Sequence, residues 1–180
     1  MAKIVFDEPQ KPQPQTDDEN DLADHDLEYL LYYLARSRSE SYELLERPDR
    51  SERSGVAPDY LVREIESGRI IAVERTLLME EDLQAAKARL IRRGADAIIV
   101  GPTKIDPQEI ADHLALAVER KISRGQLLAV KANERVLLLR NRLLATASTF
   151  LRADIRFRRT GEAGVDHAYL IASSRLLELW

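Results

Sequence analysis

A chain of 180 residues, 44% of them hydrophobic, is long enough to bury one sizeable core and short enough that a single domain is the natural expectation. It contains no cysteine, which excludes a disulfide scaffold and a thiolate zinc centre and fits a reducing compartment. The net charge of -4 hides an asymmetry: residues 1–59 hold 7 Lys/Arg against 15 Asp/Glu, whereas residues 135–159 hold 7 Arg against one acid, Asp154. That later segment either presents a basic face to an anionic partner such as nucleic acid or consists of ordinary solvated faces. The opening Met1-Ala2-Lys3-Ile4-Val5-Phe6 lacks the apolar stretch of a signal peptide, and no run approaches bilayer length. The expectation is a soluble, cytoplasmic protein with no membrane partner.

Residues 7–20 alternate Pro and Gln and then turn acidic. They offer almost no apolar surface to offset the entropy of ordering, so residues 1–20 are expected to be a disordered tail and residues 21–180 one α/β domain. From Asp21 or Asp24, either of which can cap, the pattern becomes helical, with Leu27, Leu30, Leu31 and Leu34 at i, i+3, i+4 and i+7. The helix should reach about Arg36, and Tyr29, Tyr32 and Tyr33 widen its apolar arc enough to lie against a sheet. Glu28 falls inside this region. It either points to solvent from the edge of the stripe or turns inward as an additional carboxylate. Residues 37–57 read as a polar connection with one short helical or strand piece around Tyr42 to Leu45.

Two apolar runs, residues 58–62 and 70–76, joined through Glu66-Ser67-Gly68-Arg69, predict a β-hairpin. Asp59 opens its first strand and Glu74 stands near the end of its second. On a two-residue period Glu74 shares a face with Ile70, Ala72 and Thr76. If the register sets Asp59 opposite or diagonal to Glu74, the two carboxylates converge and outline a hard-cation site. The alternative is structural, with Asp59 capping a turn after Pro58 and Glu74 paired to an arginine such as Arg63 or Arg75.

Residues 79–94 carry acids in the first turn, bases in the last and a closing Gly94, which predicts a helix. Its stripe is Leu83, Ala86, Leu90 and Ile91, and Lys87 lies within it, either snorkelling to water or serving a site. Ala97 to Gly101 predicts a central strand, parallel to residues 70–76. Asp106-Pro107-Gln108-Glu109 starts another helix, carrying Ile110, Leu114, Ala117, Val118 and Ile122 and ending at Gly125. Residues 126–130 and 136–139 read as strands, 143–151 as a helix, 155–159 as an alternating run and 167–171 as a strand, and Leu176 to Trp180 is apolar enough to dock on the domain or on another subunit. His25, His113 and His167 lack any metal-ligand spacing and read as surface residues.

The order helix, acid-bearing hairpin, helix, strand, helix, with Pro58-Asp59, a gap of 14 residues and then Glu74-Arg75-Thr76, resembles the core of the PD-(D/E)XK nuclease superfamily, the restriction-endonuclease-like fold. The resemblance covers roughly residues 21–122 in layout and five residues in motif. It implies a mixed central sheet flanked by helices and a nuclease that hydrolyses phosphodiester bonds in DNA or RNA. Asp59, Glu74 and the backbone carbonyl of Arg75 would hold Mg2+ or Mn2+, with Glu28 as a further acid, and the Arg-rich segment would hold the polyanion. Cutting both strands of a duplex would use two such domains, so a homodimer is one expectation. The sequence departs from the pattern at Thr76, which stands where the family has lysine, and a hydroxyl carries no charge to set against phosphate. Either the lysine has moved to the following helix, where Lys87 is the candidate catalytic residue with Gln84 as a polar neighbour, or the chain is an inactive member that binds nucleic acid or protein or serves assembly.

Overall fold

A computed structural model describes residues 3–6, 19–48, 57–78, 107–141, 164–172 and 174–180. In chain order these form β1 (Lys3–Phe6), α1 (Glu19–Arg38), β2 (Tyr42–Glu46), β3 (Tyr60–Glu64), β4 (Ile70–Leu78), α2 (Pro107–Ser123), a single 3-10 turn (Gln126–Leu128), β5 (Glu134–Asn141), β6 (His167–Ala172) and β7 (Arg175–Glu178). The strands build one seven-stranded mixed sheet in the order β1-β7-β6-β5-β4-β3-β2. The β2-β3-β4 part is antiparallel, β4-β5-β6 is parallel, and β7 and β1 add antiparallel strands at the far side. The architecture is α/β. Among the described residues no helix is long and apolar enough to cross a membrane.

Strand alternation divides the core into two layers. One face presents Tyr60, Val62, Ile71, Val73, Val136, Leu138, Tyr169, Ile171 and Leu176 to α1, whose Leu27, Leu30 and Leu34 are buried against them. The other presents Leu78, Leu137, Leu139, Ala168, Leu170 and Leu177, packed with Leu114 and Val118 of α2. Burying these aliphatic side chains contributes about 1.5–3 kcal/mol each, so the two layers supply most of the driving force. Tyr29 ties α1 to the sheet by donating to the Ser174 carbonyl at 2.8 Å. Tyr32 lies on the outer side of the helix, 51% exposed, so the buried arc is narrower than the three tyrosines predict.

The hairpin of β3 and β4 forms as its turn residues dictate. Gly68 takes φ 72°, the left-handed region that a side chain disfavours. The Glu64 carboxylate accepts from the Glu66 and Ser67 amides at 2.9 and 3.0 Å and from the Ser67 hydroxyl. Because Glu64 is only 3% exposed, those donors are what permit its burial.

Three expectations are corrected. Lys3–Phe6, placed by composition in a tail, pairs antiparallel with β7, Lys3 facing Glu178, and α1 begins at Glu19; the rest of the expected tail, residues 7–18, lies outside the described residues. Residues 126–130 contain a 3-10 turn instead of a strand, because Gly125 at φ 68° reverses the chain out of α2 and the Asn133 amide is soon claimed by the Ile70 carbonyl at 2.8 Å. The parallel neighbour of β4 is β5, Ile71 facing Glu134; residues 97–101 lie outside the described residues, as do the helices expected at 79–94 and 143–151. As expected, residues 42–46 form a strand, α2 opens on Pro107, residues 167–172 form β6, and the C-terminal segment docks on its own sheet, Leu179 being 5% exposed; the alternating run at 155–159 lies outside the described residues.

Candidate functional site

The antiparallel ladder between β3 and β4 ends on the pair Tyr60 and Val73. Continuing the same register sets Asp59 opposite Glu74 and Pro58 opposite Arg75. The Glu64 amide donates to the Arg69 carbonyl at 2.9 Å, which makes 64/69 a hydrogen-bonded pair; alternation then assigns the next such positions to 62/71, 60/73 and 58/75. Pro58 has no N–H to give, so the ladder stops there. The Arg75 amide turns instead to the side chain of Asp59, donating to Oδ2 at 2.6 Å. The carboxylate of Asp59 is thereby held at the edge of β4, beside the peptide that joins Glu74 to Arg75. Arg75 projects its N–H and C=O from the same edge, so its carbonyl also lies on the side of Asp59.

Glu74 points to the α2 face and is 1% exposed. Its Oε1 accepts from Lys121 Nζ at 2.6 Å, an ion pair whose side chains are 2% and 18% exposed. The lysine that faces the hairpin acid therefore comes from α2. Its signal was legible: Lys121 lies at i+7 from Leu114, i+4 from Ala117 and i+3 from Val118, inside the apolar stripe, by the criterion that singled out Lys87. Lys87 and Gln84 lie outside the described residues. Thr76 shares the face of Glu74, as a two-residue period requires.

Arg75 sends its guanidinium through to the opposite face. Its Nε donates to Asp26 Oδ2 at 2.9 Å, and Arg140 Nη1 donates to Asp26 Oδ1 at 3.0 Å. The Asp26, Arg75 and Arg140 side chains are 3%, 8% and 10% exposed. This buried triad links α1, β4 and β5 directly behind the acid hairpin. Here, too, a sequence signal existed: Arg75 falls on the period of Ile71 and Val73, and Asp26 lies four residues before Leu30 on the buried side of α1. The α1 acid turned inward is Asp26, whereas Glu28 is exposed. Asp24 accepts from Arg47 at 2.8 Å and from the Tyr60 hydroxyl at 3.2 Å. Burial first, then the adjacent Asp24 carboxylate, pushes the Tyr60 phenol well above its usual range.

At the opposite end of the sheet Glu134, 7% exposed, accepts two hydrogen bonds of 2.8 Å from Arg38, with His167 at 3.8 Å and Arg69 at 4.0 Å. Burial alone would raise the Glu134 carboxyl, but the Arg38 hydrogen bonds and the surrounding positive charges outweigh it and hold the group below its ordinary value. Of the Arg-rich segment, Arg135 donates to the Leu127 carbonyl at 3.1 Å and Arg140 belongs to the triad; its other arginines lie outside the described residues. Among the described residues no group of three or more His, Asp or Glu converges as a metal cluster. Around the end of the β3–β4 hairpin the structure thus joins the Asp59 carboxylate to the Arg75 amide and the Glu74 carboxylate to the Lys121 ammonium. Comparison of the chain with family models, with curated proteins and with solved structures finds no match.

Proposed function

We propose that this chain is a restriction-endonuclease-like protein whose Asp59–Glu74 site hydrolyses phosphodiester bonds in DNA or RNA with Mg2+ or Mn2+, Lys121 standing in for the lysine absent at Thr76. The observation that carries the reading is the 2.6 Å approach of Lys121 Nζ to Glu74, on the face where a residue-76 side chain also projects. Further support comes from the layout α1, three antiparallel strands, α2 and the parallel strand β5, and from the way Pro58 breaks the ladder beside Asp59.

The donor set suits a hard cation. Mg2+ is commonly bound by one or two carboxylates, with waters and substrate phosphate completing its octahedron, so a third acid is not required. When bound, such a cation neutralises charge on a phosphate and makes bound water more acidic. The chain's own residues do the rest. Asp59, positioned by the Arg75 amide, and Glu74 supply the oxygens, with the Arg75 carbonyl on the same edge. Lys121 has three N–H donors; one keeps Glu74 oriented while the others are able to meet a phosphate oxygen or an attacking water.

A second reading is favoured by the burial of Glu74, 1% exposed and already ion-paired: a non-catalytic member in which the same pair is structural and the protein binds a nucleic acid or protein partner. To separate the two, incubate the purified chain with Mg2+ or Mn2+ and single- and double-stranded DNA and RNA, alongside Glu74→Ala and Lys121→Ala. The nuclease reading expects cation-dependent cleavage that falls by about 10²-fold or more in both variants, with cation binding lost in Glu74→Ala and kept in Lys121→Ala. Cleavage that persists in Glu74→Ala belongs to a contaminant. No cleavage by any preparation, with nucleic acid still bound, selects the second reading.

A further inference from the structure

We infer that Gln126 supplies a further oxygen, its side-chain carbonyl, to the cation position formed by Asp59, Glu74 and the Arg75 carbonyl; the inference rests on the cation-site reading above. Gln126 opens the 3-10 turn directly after α2 and lies five residues beyond Lys121. It is 6% exposed, and its Nε2 reaches the Ala57 carbonyl at 3.4 Å, a long hydrogen bond. The orientation of the amide follows from chemistry: the Ala57 carbonyl only accepts, so the nitrogen must face it and the oxygen must face away. No donor among the described residues reaches that oxygen. A buried carbonyl that no protein donor meets is penalised until another partner serves it, and a cation, or the water that a cation holds, is one such partner.

Two tethers set this amide between β4 and the arm that leads into Asp59. Ala57 is the residue before Pro58, so the hydrogen bond grips the arm that delivers Asp59. On the other side the turn packs on β4, and its Leu127 carbonyl accepts from Arg135, which stands beside Ala72 in the β4–β5 register. Ala72, fully buried, projects to the same face as Glu74, which stands two residues farther along the strand. Lys121 and Gln126 therefore approach the hairpin from one continuous helix-and-turn unit, the lysine at the acid and the amide at the arm. An amide oxygen is a hard, neutral donor of the kind that completes oxygen coordination around divalent cations. It adds a ligand without adding a charge next to two carboxylates.

The test is calorimetric titration of the full chain with Mg2+ and with Mn2+, free of nucleic acid, on wild type, Gln126→Leu, Gln126→Glu and Glu74→Gln. The expected result is a dissociation constant roughly 10-fold weaker in Gln126→Leu and roughly 10-fold tighter in Gln126→Glu, with heat of binding absent in Glu74→Gln. Wild-type affinity in Gln126→Leu overturns the inference while leaving the Asp59–Glu74 reading intact, and assigns the buried oxygen to an ordered water. No binding by wild type overturns both. Should Gln126→Leu fail to fold, the near-isosteric Gln126→Glu decides, since an unchanged or weaker affinity there is incompatible with an oxygen directed at the cation.

Discussion

Replacing Asp26 by Asn keeps the shape of the side chain and removes its charge. In wild type one carboxylate, 3% exposed, serves Arg75 on β4 and Arg140 on β5 at 2.9 and 3.0 Å. Two guanidiniums on neighbouring parallel strands, themselves 8% and 10% exposed, then lose the carboxylate that binds them both. Breaking a buried charge pair by deleting one partner destabilises by about 3–5 kcal/mol, chiefly because the remaining charge stays desolvated. With a urea slope of about 2 kcal/mol per M, the unfolding midpoint should fall by about 2 M. At about 2–4 °C per kcal/mol for a chain of this size, the thermal midpoint should drop by on the order of 10 °C. The matched control is Glu28→Gln on the exposed side of the same helix, expected to stay within about 0.5 kcal/mol of wild type. The triple substitution Asp26→Leu, Arg75→Met, Arg140→Met should recover most of the loss, because an apolar set of similar volume removes the desolvation penalty with the charges. A loss under about 1 kcal/mol in Asp26→Asn, or a triple variant no more stable than the single one, would show that the triad is not a buried charge network and refute the reasoning.

Acid sensitivity should reside in Glu134. Its carboxyl is held below the ordinary 4.5, so the stability it contributes is fully present above that value and is lost as pH falls through the depressed folded-state value. In Arg38→Met the stability gap to wild type should be largest at neutral pH and shrink through the acid range below about 4.5; urea unfolding across that range measures it, and a gap independent of pH contradicts the assignment. Glycine positions offer a second comparison. Gly68→Ala meets no atom within 4 Å and suffers only its left-handed φ of 72°, a loss of about 1 kcal/mol. Gly164→Ala adds to a φ of 61° a clash of the new Cβ with the Leu128 side chain and should be the more damaging of the two by thermal unfolding; equal losses would mean that Leu128, 52% exposed, moves aside freely.

Much of the scaffold could be read from local pattern alone. Leu27, Leu30 and Leu34 at helical spacing define α1 and its buried face, Ser67-Gly68 between two apolar runs defines the hairpin, and Pro107 and Gly125 bracket α2. The two-residue period also places Glu74 and Thr76 on one face, since side-chain alternation is a property of the strand itself. Even the inward charges had a local signature: Arg75 and Lys121 occupy core-facing phases of their elements.

What only the tertiary structure decided is which distant segments meet. Lys3–Phe6 is short and runs into the polar Asp7-Glu8, and becomes a strand because β7 offers an edge at the other end of the chain. The identity of the strand beside β4 depends on which apolar run closes the crossover, a choice between residues 97–101 and β5 that local composition leaves open. The same holds for the opening acids. Sequence puts Asp59 and Glu74 on a hairpin and allows either to be structural. That the Asp59 carboxylate takes the Arg75 amide depends on the ladder ending at Pro58, and that Glu74 takes Lys121 instead of an arginine depends on how α2 crosses the sheet. Periodicity and turn chemistry are encoded within a few residues and so are legible in them; an ion pair between residues 74 and 121 exists only once the crossover has closed, because its geometry is set by the packing of the layers between them.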